Sequence, residues 1–192
     1  MRDALWLLAA LGVVGAFDTL WFHEWRGRLV ARPEMRPELR LHVARDALYV
    51  VIFASLPFVA WRGLWTAVLA AILIAEIVIT MTDFVTEDKV RKGVGGVFPG
   101  ERITHAVMGI IYGAMLGYLV PVLLAWFQQP SGLVFAAPPV PAWLQAALGA
   151  AAAGILAHGL RDLAAVLGLP GSDWPWADTA TRGPGGQELR GS

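Results

Sequence analysis

Apolar residues fall along this chain in five long stretches, not in the short alternating runs of half-buried strands. The stretches cover residues 4–25, 41–61, 64–84, 103–127 and 143–167. A helix needs about 20 residues to cross some 30 Å of hydrocarbon, and each stretch is of that order. Tryptophans punctuate the ends (Trp21, Trp25, Trp61, Trp65, Trp126 and Trp143), where amphipathic rings settle at headgroup level. The pattern predicts an all-α integral membrane protein. It is a bundle of five transmembrane helices forming one domain over residues 1–170, followed by a flexible, glycine-rich tail over 171–192. Only residues 61–65 part the second stretch from the third, which predicts a tight helical hairpin. The first stretch has no basic n-region and no small-residue cleavage site, and it carries Asp18, so it reads as a retained helix and not a signal peptide.

The polar intervals orient the bundle. Six arginines lie between residues 26 and 45, and two lysines and two arginines between 89 and 102; Arg62 alone stands on the opposite inter-helix side, with Arg2 at the terminus. This excess predicts an outside N-terminus and a cytoplasmic C-terminus, with a bacterial inner (plasma) membrane as the expected location. Composition sharpens the picture. Apolar residues make up 57% of the chain and charged ones only 16%, where soluble domains run near a quarter charged, and mean hydropathy is +0.58. Fifteen basic and fifteen acidic residues cancel, which excludes a nucleic-acid binder with a broad basic face. The absence of cysteine excludes disulfides, thiolate zinc sites, Fe–S clusters and cysteine nucleophiles. The glycines between 93 and 100 lack a following Lys-Ser or Lys-Thr and read as a flexible hinge, not a phosphate loop.

Ionisable residues are the informative exceptions within the apolar stretches. Asp18, His23 and Glu24 close the first; Glu38, His42, Arg45 and Asp46 open the second; Glu76, Thr80, Asp83 and Glu87 close the third. Glu101 and His105 open the fourth, and His158, Arg161 and Asp162 approach the end of the fifth. Alternating topology brings all of them to the cytoplasmic end. Glu38, His42 and Asp46 recur every four residues, and Glu76, Thr80, Asp83 and Glu87 follow i, i+4, i+7, i+11, so each set lies along one helical face. Glu101 and His105 continue at the same interval into Gly109, Gly113 and Gly117. That row predicts a close-packing seam pointing with the acids into the bundle, and a candidate face for homo-oligomers. Asp18 and His23 are five apart, about 140° out of phase on an ideal α-helix, so either one is off-site or the helix ends before His23. His158 reads as solvated or bonded to Asp162, Asp162 as a surface ion pair with Arg161, and Glu24, Glu34 and Glu87-Asp88 as solvated rims.

An ionised carboxylate near the bilayer centre costs on the order of 2.5–3.5 kcal/mol. Arg45 is the one base expected among the deeper acids, so a cation is expected there. The candidate metal ligands are Asp18, His23, Glu38, His42, Asp46, Glu76, Asp83, Glu101 and His105. Asp46 and Glu76 are the candidate catalytic carboxylates, with Tyr49 and Tyr112 one to two turns farther in as hydrogen-bond donors. Carboxylate and imidazole without sulfur suit iron, manganese or zinc. This ligand balance resembles that of di-iron and di-manganese carboxylate bundles, although their Glu-x-x-His spacing is replaced here by Glu38/His42 and Glu101/His105 at i, i+4. The histidine boxes of membrane desaturases and hydroxylases are absent. The expectation is a dinuclear, iron-type oxidoreductase acting on a lipid or other hydrophobic substrate at the cytoplasmic leaflet, with Arg26, Arg28, Arg32, Arg36 and Arg40 around the mouth favouring anionic heads. The alternatives are a zinc-dependent hydrolase of a lipid or amide, a b-type cytochrome with His42 and His105 as haem ligands, and an ion or proton transporter. Acids beside the two histidines argue against haem, and apolar outer helix halves argue against transport.

Overall fold

The computed structural model describes residues 1–136, 138–170 and 172, so nearly all of the expected tail lies outside the described residues. The fold is five helices and one small two-stranded sheet: α1 (Arg2–Asp18), α2 (Arg36–Ser55), β1 (Val59–Arg62), α3 (Leu64–Val90), α4 (Pro99–Phe127), β2 (Gly132–Phe135) and α5 (Ala142–Val166). α1, α3 and α5 finish at the end where α2 and α4 begin. That end carries the charged residues and is called the polar end; the two-stranded sheet occupies the other.

Four segments are long and apolar enough to cross a membrane: Arg2–Ala31, Leu64–Val94, Pro99–Phe127 and Ala142–Val166. The expected span over 41–61 is the exception. The first half of α2 carries Arg36, Glu38, Arg40, Arg45 and Asp46. Its apolar remainder, residues 47–55, is only about 13 Å long at the α-helical rise. The chain then leaves the helix, and β1 pairs antiparallel with β2 in the register Val59↔Phe135 to Arg62↔Gly132. The connection around 61–65 is therefore strand, glycine, helix, in place of the helical hairpin expected. Gly63 makes the join, with φ of +56°, and a Cβ there would stand 2.6 Å from Ser131 Cα. Its N–H donates to the Trp126 carbonyl at 2.9 Å, tying β1 to the end of α4.

The apolar core fills the half of the bundle next to the two-stranded sheet. Leu5, Leu8, Ile52, Phe53, Leu69, Met115, Leu119, Leu144 and Leu148 are all buried there, drawn from every helix, and Trp61 closes the end. The outward faces are apolar too: Val13, Ile74, Ile110, Leu124 and Leu160 are exposed, a surface suited to lipid and not to water. The glycine row of α4 belongs to this outer surface. Gly109, Gly113 and Gly117 are exposed, and a Cβ on any of them would meet nothing within 4 Å. The expectation that they face inward fails because four-residue steps advance about 40° beyond a full turn each time. From His105 the buried stripe runs instead through Tyr112, Met115 and Leu119.

Candidate metal centre

The first helix reaches the site by changing its winding. After Asp18 the chain continues as a π-helix from Thr19 to Gly27. Bonding from i to i+5 widens the turn and brings residues five apart nearer to one face, which narrows the phase difference between Asp18 and His23. His23 Nε2 lies 3.4 Å from Asp18 Oδ2 and 3.0 Å from Glu101 Oε1 on α4. Gly100 lets this wide turn sit against α4, since a Cβ there would meet the Phe22 ring at 2.8 Å. Arg28, in the left-handed region with φ of 49°, ends the π-helix.

His105 sits between two acids. Its Nε2 is 3.1 Å from Asp18 Oδ2 and its Nδ1 3.5 Å from Glu87 Oε1, while Phe84 stacks on the ring at 5.0 Å. Thr104 Oγ1 donates to the other Asp18 oxygen. His42 stacks on His23 with ring centroids 4.8 Å apart and planes within 10°. Its Nε2 faces Asp83 at 3.4 Å and Glu38 at 3.7 Å, and its Nδ1 faces Asp162 at 3.6 Å. The fourth histidine, His158, places Nδ1 at 2.8 Å from Asp46 Oδ2, with Nε2 at 3.5 Å from Glu24 Oε1. All four histidines of the chain therefore gather at one end of the bundle.

Three arginines neutralise part of the acid. Arg91, buried, donates to Glu101 at 2.7 and 2.8 Å and, through Nε and Nη2, to both oxygens of Glu38. Arg45 donates to Asp83 at 2.9 Å, and Arg161 to Glu24 at 2.5 Å. Against these stand nine buried carboxylates: Asp18, Glu24, Glu38, Asp46, Glu76, Asp83, Glu87, Glu101 and Asp162.

Hydrogen bonding leaves a second imbalance. Among the described residues, eight buried side-chain nitrogens and oxygens have no hydrogen-bond partner. Apart from Arg62 Nε they all lie here: both ring nitrogens of His23, His42 Nε2, Asp83 Oδ1, Glu87 Oε2 and both oxygens of Asp162. An unsatisfied buried polar atom costs about 1–3 kcal/mol. Seven together would rival the 5–15 kcal/mol, roughly, that holds a whole domain folded. Three groups bring ligand atoms within 4.8 Å of one another: Asp18, His23 and His105; Glu87, Glu101 and His105; and Glu24, His158 and Asp162.

Of the residues expected at the site, Asp18, His23, Glu38, His42, Asp83, Glu101 and His105 meet in this network, and Asp46 joins it through His158. Glu76 is held differently, by Tyr49, whose hydroxyl donates at 2.7 Å, and Thr80, at 2.8 Å. Tyr112 donates to the Leu73 carbonyl at 3.3 Å, an interhelical contact. Several residues read as peripheral are central. Glu24 and Glu87 are 8% and 4% exposed and not solvated rims. Asp162 is 1% exposed and faces the histidines, while its neighbour Arg161 turns to Glu24. His158 does meet Asp162, at 3.8 Å, but Asp46 is its nearer partner. One signal for this side lay in Gly159: a Cβ there would stand 3.0 Å from Asp46 Cβ, so the glycine admits α2 against α5. The chain matches no family model, no curated protein and no solved structure.

Proposed function

We propose that the chain is a membrane-embedded metalloprotein, a dinuclear iron-type oxidoreductase acting on a lipid or another hydrophobic substrate at the cytoplasmic leaflet. The observation that carries this reading is the cluster of seven unsatisfied buried atoms among four imidazoles and nine carboxylates. Buried carboxylates and imidazoles crowded together are stabilised by cations, and three arginines stand against nine carboxylates. Nitrogen and oxygen donors without sulfur favour iron, manganese or zinc, and imidazole disfavours calcium and magnesium. Bound iron would supply one-electron chemistry in a site walled from water by the bundle. The apolar core beyond the cluster favours a fixed cofactor over an ion passing through.

Access supports the substrate class. A shallow surface cleft opens beside the cluster, lined by Arg26, Arg32, Met35, Arg91 and Phe98 among others. Arg26 lies over the Phe98 ring at 4.6 Å. Two exposed or half-exposed guanidinium groups on an otherwise apolar rim suit an anionic head attached to an apolar body. The test is elemental analysis of protein purified in detergent without chelators. One to two transition-metal ions per chain are expected. If they are iron, the reduced protein consumes dioxygen. Zinc, which has no accessible redox step, would replace this reading with hydrolysis by a metal-bound water. A metal-free, well-folded protein would refute both.

A further inference from the structure

We infer that the polar end holds a separate cation site on its α5 side, formed by Glu24, His158 and Asp162, for a divalent transition ion of the iron, manganese or zinc class. The inference rests on the reading of the polar end as a metal centre and adds where a second ion sits.

Distance is the first argument. His158 Nε2 stands 3.5 Å from Glu24 Oε1 and 3.8 Å from Asp162 Oδ2, and His42 Nδ1 stands 3.6 Å from the same Asp162 oxygen. These separations are at or beyond the limit for N–H···O hydrogen bonds, whose usual length is about 2.9 Å. They are close to the edges of a coordination polyhedron: ligands about 2.1 Å from one ion at tetrahedral angles stand some 3.4 Å apart.

The second argument is independent of spacing. Asp162 is 1% exposed, and neither of its oxygens receives a hydrogen bond. A carboxylate in that position is stabilised by an ion that His158 and Glu24 can share. The third is the direction of the imidazole. His158 Nδ1 lies 2.8 Å from Asp46 Oδ2, a good N–H···O bond. With its proton held there, Nε2 presents a lone pair toward Glu24 and Asp162. A carboxylate behind a ligating histidine is the usual support for a metal site, because it fixes tautomer and ring plane. Asp46 is then a positioning residue for this site, and Gly159 permits its approach.

The site shares no residue with the Asp18, His23 and His105 group. The two sides meet through the stacked rings of His23 and His42, 4.8 Å apart. The competing arrangement is a protonated His158 bridging Asp46 and Glu24 with no ion.

The experiment compares bound metal per chain, by elemental analysis and by titration of metal-depleted protein with Co(II), in wild type, His158→Ala, Asp162→Asn and His105→Ala. Size-exclusion profile and helical circular dichroism control for folding. Two equivalents are expected in the wild type. One is expected in His158→Ala and in the nearly isosteric Asp162→Asn, and one, on the other side, in His105→Ala. The visible Co(II) spectrum left in His105→Ala should differ from that left in His158→Ala, because different ligands remain. A wild type that binds metal while folded His158→Ala and Asp162→Asn bind just as much would overturn the second site and assign its groups to an imidazolium network. A wild type that binds none would instead overturn the underlying reading.

Discussion

The two halves of this bundle are built from the same five helices by opposite rules. Toward the β1–β2 pair, Leu5, Leu8, Phe53, Leu119 and Leu148 pack as an apolar core. Arg62 Nε is left without a hydrogen-bond partner there, but neighbouring polar groups are paired: Thr66 donates to the Trp61 carbonyl at 2.5 Å and the Trp61 indole to Ser55 at 3.1 Å. At the polar end the helices bury carboxylates and imidazoles, and seven of their atoms lack hydrogen-bond partners. The first half is nearly complete as a folded object. The second leaves polar atoms that cations, on the proposed reading, would satisfy, so the contrast directs attention to the end where local satisfaction fails.

The largest break in this comparison is expected in the apolar half. Phe53 is buried between α1 and α2, where its ring edge lies 3.0 Å from the Cβ position of Gly12. Phe53→Ala should cost about 3–5 kcal/mol, the range for a large aromatic truncated in a packed core. Thermal unfolding in detergent should show it as a lowered midpoint, with bound metal per folded chain unchanged. A parallel loss of metal in the folded fraction would mean that the halves are not separable.

How far the chain announced this division differs by element. The convergence of acid and imidazole was legible because it needs only alternating topology and four-residue spacing, as Glu38, His42 and Asp46 display. α3, α4 and α5 were legible for a similar reason: long apolar runs leave little choice inside a bilayer. Winding was not legible. The π-turn at Thr19–Gly27 depends on Gly100 and Phe22 packing against each other across more than seventy residues, and no local pattern carries that. The ideal-helix assumption failed in the opposite sense on α4, where four-residue repeats carried Gly109, Gly113 and Gly117 round to the outer face. α5 hid its place in the network because Ala and Gly surround His158, and a lone imidazole shows its contacts only when another helix delivers the partner. α2 failed as a span because Arg36, Glu38, Arg40, Arg45 and Asp46 fill its first half, and Glu38 and Asp46 are buried in the polar network, so they interrupt the hydropathy pattern.

A smaller effect sharpens the comparison at the two-stranded sheet. Gly63→Ala places a Cβ within 2.7 Å of the Ser131 backbone, at a positive φ that side chains rarely adopt. Backbone displaced from such a position costs about 1–3 kcal/mol. Stability should fall by that amount, read again from thermal unfolding, while metal stoichiometry stays at the wild-type value. An altered stoichiometry would show that the junction of β1 with α3 at Gly63 transmits strain along α3 to Asp83 and Glu87.

The smallest effect is expected to have the opposite sign. Gly113 lies mid-helix in α4, exposed, with no atom within 4 Å of its Cβ position. Nothing in the single chain explains a glycine there, and glycine in a helix interior costs about 0.5–1 kcal/mol relative to alanine. Gly113→Ala should therefore raise stability by a few tenths to 1 kcal/mol, roughly, if the face meets only lipid. If a second copy seats a helix along Gly109, Gly113 and Gly117, the added methyl meets that helix instead. Stability then falls, and the larger Gly113→Leu shifts the protein to a smaller species in analytical ultracentrifugation. The sign of one small substitution thus decides whether the outer face of α4 is a boundary with lipid or with another chain, and the polar end should keep its metal in either case.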